Sequence, residues 1–321
     1  MTSKDKILIG LVDADLLNGG TRHPNLVLLK LAGFLTDNAI PFRLIIDKDE
    51  NIMEYTTIYM SKVFSFTPDP PFYEKVKKTP NENKFKIGGT GDYAIKKDIK
   101  DFKSSRTRDM NQLENDIFLN NYPNKRGGKK KWGIDMCRQM PYYHLYDEYI
   151  QSKIKAGRKK SYFNDYLYYS IGFLTRGCIR HCPFCVNKLE NKVYRYSELE
   201  WFLDDERNEK GDLIRPYIYL WDDNFLAAPK EIWQPMLQSL IDSKRPFQFR
   251  QGLDERILAE SEDGEEIAQM LSKCKYHGDF IFAFDNWRDR DKIIKALKIW
   301  KRHNSKRGTK FYLFCGYTLK S

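Results

Sequence analysis

Cysteine is scarce in this 321-residue chain, with six in all. That excludes a disulfide scaffold, because domains that depend on such bridges carry them densely, whereas a chain of this length can build its own core. No apolar run approaches the ~20 residues needed to cross a bilayer. The opening Met1-Thr-Ser-Lys-Asp-Lys6 leads straight into Ile7-Leu-Ile-Gly-Leu-Val12, without the apolar core and cleavage site of a leader. A cytoplasmic, reduced protein with no membrane association is expected. Also missing are a second Cys-x-x-Cys, which the paired knuckles of a structural zinc site would need, and a Gly-x-Gly-x-x-Gly dinucleotide fingerprint. Lys and Arg outnumber Asp and Glu by 55 to 44, a formal charge of +11. This balance permits a polyanionic partner without requiring one.

What is present is unevenly placed. Half of the cysteines, Cys178, Cys182 and Cys185, fall within eight residues, directly after an aromatic, β-prone run at 166–170. Such clustering implies a metal. Zinc is one candidate, but structural zinc takes four ligands, and Cys137, Cys274 and Cys315 stand alone in the sequence. An iron–sulfur cubane also normally takes four cysteines, so three would leave one iron open to something other than protein. Arg176, Arg180 and His181 are expected to set positive charge around the thiolates, and Gly172 and Gly177 to allow a tight backbone.

Cys-x-x-x-Cys-x-x-Cys at the end of a strand, with Phe184 before the third cysteine, resembles the signature of the radical S-adenosylmethionine (SAM) superfamily. The resemblance implies a [4Fe-4S] cluster on Cys178, Cys182 and Cys185, with SAM chelated to the free iron. It implies reductive cleavage of SAM to a 5′-deoxyadenosyl radical that abstracts hydrogen from a substrate, with a flavodoxin- or ferredoxin-like one-electron donor. By the same resemblance Phe184, Asp222, Asp223, Asp285 and Asn286 would contact the cofactor, and Arg250, Gln251 and Asp254 would face ribose, carboxylate or substrate. As a residue-level alternative, each strand-end polar group could instead cap a helix or form a structural ion pair. The substrate is not legible.

The fold expected is α/β: an N-terminal Rossmann-like domain at 1–93, a basic and aromatic linker region at 94–165, and a partial (β/α)6 barrel at 166–321. The first domain opens strand, helix, strand at 7–46, continues with strands at 57–66 and 84–92, and places Pro24 in the first turn of its helix. Its segments Asp13-Ala-Asp15, His23-Pro-Asn25, 60–66 and Gly88-Gly-Thr-Gly91 are similar to a branch of radical SAM proteins with a degenerate cobalamin-binding-like domain. Asp15 stands where that class of domain would carry a cobalt-ligating histidine, so cobalamin is not expected. The linker region interleaves Lys and Arg with Tyr and Phe. It reads first as a solvated connector and second as a surface for an anionic partner such as nucleic acid.

Five barrel strands are legible where six are usual for the family. Hence the chain is expected to be a fragment, prone to associate through an uncovered last strand at 310–317. Within the enzyme reading, cobalamin-assisted methyl transfer and nucleic-acid modification are alternative outcomes. A non-catalytic metal-binding nucleic-acid module is the alternative of a different class.

Overall fold

The computed structural model describes residues 8–89, 134–185, 187, 190–304 and 306–314. The chain is mixed α/β with parallel sheets, and it divides into two compact units, Met1–Leu167 and Tyr168–Ser321. No helix among the described residues is long and apolar enough to cross a membrane.

In the first unit β1 (Ile9–Asp13), β2 (Phe42–Leu44), β3 (Thr57–Ser61) and β4 (Phe85–Gly88) form a parallel sheet in the order β2-β1-β3-β4. Every residue of β1 and β3 is buried, as expected of central parallel strands covered on both faces. Alternate residues sort into two cores. Ile9, Leu11 and Tyr59 pack with Leu28, Leu29, Leu31 and Leu35, whereas Val12, Ile58 and Met60 pack with Phe72, Tyr73 and Phe85. The short helix α1 (Ala14–Gly19) follows β1, and α2 (Leu26–Asp37) supplies the first of these layers. Asn25 caps α2 by accepting from the Leu28 amide, so Pro24 lies just before the cap rather than inside the first turn.

Two expectations for this unit change. The strand expected over 57–66 ends at Ser61 because the buried carboxylate of Asp15 accepts from the amides of Val63 (2.6 Å) and Phe64 (3.3 Å) and from the Thr67 hydroxyl. Those amides are lost to any ladder, and Phe64 and Phe66 are left exposed. The stretch 94–165 is not a connector over its described part, 134–165. Ile134, Met136, Tyr143, Leu145, Tyr146, Ile150 and Phe163 enter the same core as β1 and α2, and Lys30 donates to the carbonyl of Met136 at 2.6 Å. The helix α3 (Asp147–Lys155) belongs to this layer. The lysine run at 129–131 lies outside the described residues.

The chain reverses direction across the sheet between β1 and β3, the place where open parallel sheets present a ligand crevice. Here the chain's own groups span that edge. Tyr146 donates to Asp13 (2.9 Å) and accepts from the Asn25 amide (3.1 Å), while Asn25 donates to Ser61 (2.7 Å). Burial pushes the Asp13 carboxyl up to about 7.

In the second unit β5 (Tyr169–Gly172), β8 (Tyr217–Leu220) and β9 (Phe247–Phe249) are parallel neighbours in that order. β10 (Phe280–Phe284) pairs in parallel with β11 (Thr309–Leu313), and a parallel bridge between Leu253 and Phe282 links the two sets. Between successive strands lie α4 (Lys230–Asp242), then α5 (Arg256–Glu260) and α6 (Gly264–Lys273), then α7 (Arg290–His303). Ile218, Leu220, Phe247, Phe249, Phe280 and Phe282 pack one face of the strands against Trp233, Leu237, Ile267, Leu271 and Trp300. Tyr219, Gln248 and Arg250 alternate with them onto the opposite face. A short antiparallel hairpin, β6 (Thr175–Gly177) with β7 (Val193–Arg195), separates the cysteine loop from β5. The loop therefore does not leave the sheet strand directly, as the sequence had suggested.

Candidate metal centre

The cysteine loop begins where β6 ends. Gly177 has φ +93°, and a Cβ there would lie 2.2 Å from the Lys192 carbonyl oxygen. Only glycine fits between the two hairpin arms. Gly177→Ala is expected to cost about 2 kcal/mol or more from left-handed strain and overlap, read as a lowered midpoint in urea.

Three consecutive residues after β8 hold this hairpin. Asp222, only 1% exposed, accepts from the amides of Leu174 (3.2 Å) and Thr175 (2.6 Å) and from the Thr175 hydroxyl (2.7 Å). Burial pushes its carboxyl up to about 7. Asp223 accepts from the Gly177 amide at 2.9 Å and pairs with Arg176 at 3.6 Å. Asn224 donates from Nδ2 to Cys178 Sγ (3.5 Å) and to Asp254 (3.0 Å). Asp222 and Asp223, expected at the cofactor, thus brace the loop that carries the cysteines.

Cys178, Cys182 and Cys185 are free, part-buried thiols. Cys178 Sγ accepts from the Arg180 amide and Cys185 Sγ from the Asn187 amide, both at 3.4 Å, and the Cys185 amide donates to the Cys182 carbonyl at 2.9 Å. This turn puts His181 in the left-handed region at φ +47°. Burial pushes the Cys182 and Cys185 thiols up, and Cys178 and Asp285 add to the rise of both. Among the described residues no three His, Cys, Asp or Glu side chains already stand as a finished metal cage. Of the other cysteines, Cys274 is buried and donates to the Met270 carbonyl, Cys137 lies in the first unit, and Cys315 is outside the described residues.

The arginines expected to surround the thiolates are drawn to carboxylates. Arg180 pairs with Asp254 and with Glu260 (2.7 Å); Arg256 pairs with Asp254 (2.6 Å) and Asp289 (2.7 Å). Burial alone would raise the Asp254 carboxyl, but Arg256 and Arg180 outweigh it and hold the group below its usual range. Asp254 is therefore the hub that ties the cysteine loop to the segment after β9. Asp285 is half-buried; burial pushes its carboxyl up, with Arg256 opposing and Asp254 and Asp289 adding to the rise. Asn286 accepts from the Arg288 amide at 3.0 Å and caps a turn. Arg250 lies 4.5 Å over the Tyr219 ring and donates to Gln248, whereas Gln251 is exposed. Phe184 stacks on Phe314, ring centroids 4.0 Å apart, which places the loop tip against the end of β11.

Two residues not selected from the sequence carry a further signal. Asn224 Oδ1 and Glu255 Oε1 are buried without a hydrogen-bond partner among the described residues. Glu255, fully buried, accepts from the Ala283 amide through its other oxygen, and burial pushes its carboxyl up to about 7. Buried polar atoms are normally satisfied, so such orphans mark places where another group belongs. Asn224 also donates to Cys178 Sγ, so one such oxygen stands beside the triad, and three soft sulfurs with a hard acceptor at hand fit an iron–sulfur cluster together with a ligand bearing amine or hydroxyl donors. No family description, curated protein or solved structure matches this chain.

Proposed function

We propose that this chain is a radical SAM enzyme, built as a Rossmann-like domain followed by a partial (β/α)6 barrel. The observation that carries the reading is the Cys-x-x-x-Cys-x-x-Cys triad of free thiols on one loop, carried by the short hairpin that follows the first of five parallel strands. In such folds the carboxyl ends of the strands are where active sites are built. Cys178, Cys182 and Cys185 would hold a [4Fe-4S] cluster. That group, with SAM bound, supplies one-electron cleavage of SAM to a 5′-deoxyadenosyl radical.

The chain's own residues do the positioning. Asp222, Asp223 and Asn224 fix the arm that enters the loop, and Arg180 and Asp254 fix its far side. Phe184 on Phe314 shields the tip. Asn224 Oδ1 and Glu255 Oε1 are acceptors without partners, suited to an amine or a ribose hydroxyl. A flavodoxin- or ferredoxin-like protein would deliver the electron. Asp15, bound into loop 63–67, takes the position a cobalt-ligating histidine would need.

Protein reconstituted anaerobically with iron and sulfide, then reduced and given SAM, is expected to release 5′-deoxyadenosine, measured by chromatography against a cluster-free control. Asp285→Ala should lower SAM retention several-fold while leaving iron content unchanged, because Asp285 faces the cysteines without belonging to the loop. No nucleoside above the control would reject the chemistry. Colourless protein with stoichiometric zinc would support a metal-binding module instead.

A further inference from the structure

The first unit carries a cationic corner that the cysteine site does not use. Lys153, Lys155, Arg158, Lys159 and Lys160 stand within eight residues that contain no acid, and all five are exposed. Arg22, from the turn before α2, joins them. Arg22 and Arg158 both lie over the ring of Tyr162, at 5.8 and 4.9 Å, and Lys153 lies 5.4 Å over Tyr149. The corner is compact, because a Cβ on Gly20 would lie 3.3 Å from the Tyr149 hydroxyl and 3.7 Å from that of Tyr162.

Several cations elsewhere on this chain are neutralised. Arg302 pairs with Glu265, Lys292 with Glu260, and Lys77 with Asp69 and Glu74. By contrast, Arg22, Lys153, Lys155, Arg158 and Lys159 have no carboxylate partner among the described residues. Of the nearby acids, Asp165 pairs with His23 and Asp147 with His144. Lys153 and Lys155 stabilise the carboxyl end of α3, where positive charge is favoured. That reason does not extend to Arg22, Arg158 or Lys159, whose mutual repulsion is a cost without an internal benefit. Arginines over a tyrosine ring keep their N–H edges for phosphate, and the ring itself is part-exposed. No large apolar side chain is exposed from Lys153 to Phe163, so the corner lacks what would seat in a lipid surface.

We propose that this corner binds single-stranded nucleic acid, with phosphates on Arg22, Arg158 and Lys159 and a base against Tyr162. The test uses the full chain without metal, so its failure would leave the cysteine chemistry untouched. Fluorescence anisotropy of a labelled oligouridine across a KCl series should give a steep log–log slope. Arg22→Gln/Arg158→Gln/Lys159→Gln should flatten that slope by about 2, at ~0.7 per phosphate contact on a single strand. Tyr162→Ala should weaken binding at every salt concentration with the slope kept. Neutralising the exposed Lys273, Lys298 and Lys301 should change neither. All of these substitutions are at exposed or part-exposed positions, and circular dichroism checks that the variants fold. A wild-type slope near zero, equal slopes for the triple variant and wild type, or binding only to phosphatidylserine vesicles would overturn the proposal.

Discussion

Replacing Cys178, Cys182 and Cys185 together with Ala is expected to abolish iron and acid-labile sulfide uptake, whereas Cys137→Ala and Cys274→Ala should keep the wild-type content. The contrast follows from where the sulfurs sit. The triad shares one loop whose backbone amides already donate to two of its sulfurs. Cys274 is sealed in the core of the second unit, and burial pushes its thiol up to about 12, so it stays protonated and is a poor ligand. The triple variant should still unfold cooperatively near the wild-type midpoint, because none of the three cysteines belongs to that core. Iron and sulfide assays alongside thermal denaturation make the measurement. A triple variant that retains a full complement of iron would end the cluster assignment.

Asp222→Ala should be the most destabilising single change at the site. It strands two amides and a hydroxyl in a buried place, at ~1–3 kcal/mol each, so a loss of roughly 3 kcal/mol or more is expected from urea denaturation. Asp222→Asn keeps one acceptor oxygen and should cost less. The pH dependence has a definite sign. The folded carboxyl is raised from 3.8 to about 7, so between those values the folded chain holds a proton that the unfolded chain has released. Stability contributed here is present below pH 3.8 and declines as pH rises towards 7, by up to ~1.4 kcal/mol per unit. Asp13 and Glu255 add slopes of the same sign, and Asp222→Asn should remove its own share. If Asp222→Ala weakened SAM retention with stability unchanged, the residue would be a cofactor contact and not a brace.

The parallel strands were legible because most are short apolar runs closed by polar or glycine residues, as in 217–220 and 280–284. The cysteine loop was legible from spacing alone. What Asp222, Asp223 and Asp254 do was not. A carboxylate at a strand end looks the same whether it faces a ligand or an amide 47 residues away, as Asp222 faces Thr175. The placement of 134–165 was hidden for another reason. Its core contacts include Tyr143, Tyr146 and Tyr149, which among lysines read as a wettable surface, although Tyr146 and Tyr149 stand at helical spacing beside Ile150. The orphaned oxygens of Asn224 and Glu255 emerge only once every neighbour has been placed.

The hairpin at the base of the cysteine loop also bears on how the protein would survive oxygen. Pairing Thr175 with Arg195 and Gly177 with Val193 closes the loop before any metal arrives, so the entropy of bringing its ends together is spent in folding the chain. A zinc finger loses its fold with its metal. Here the parallel strands and their helices share a core to which none of the three cysteines belongs, and the three thiols stay on one hairpin-closed loop. Oxidative loss of the proposed cluster should thus be an event of the loop alone, repairable by fresh iron and sulfide without passage through the unfolded state. Repeated cycles of bleaching and reconstitution should leave the near-ultraviolet circular dichroism of the buried tyrosines and tryptophans unchanged.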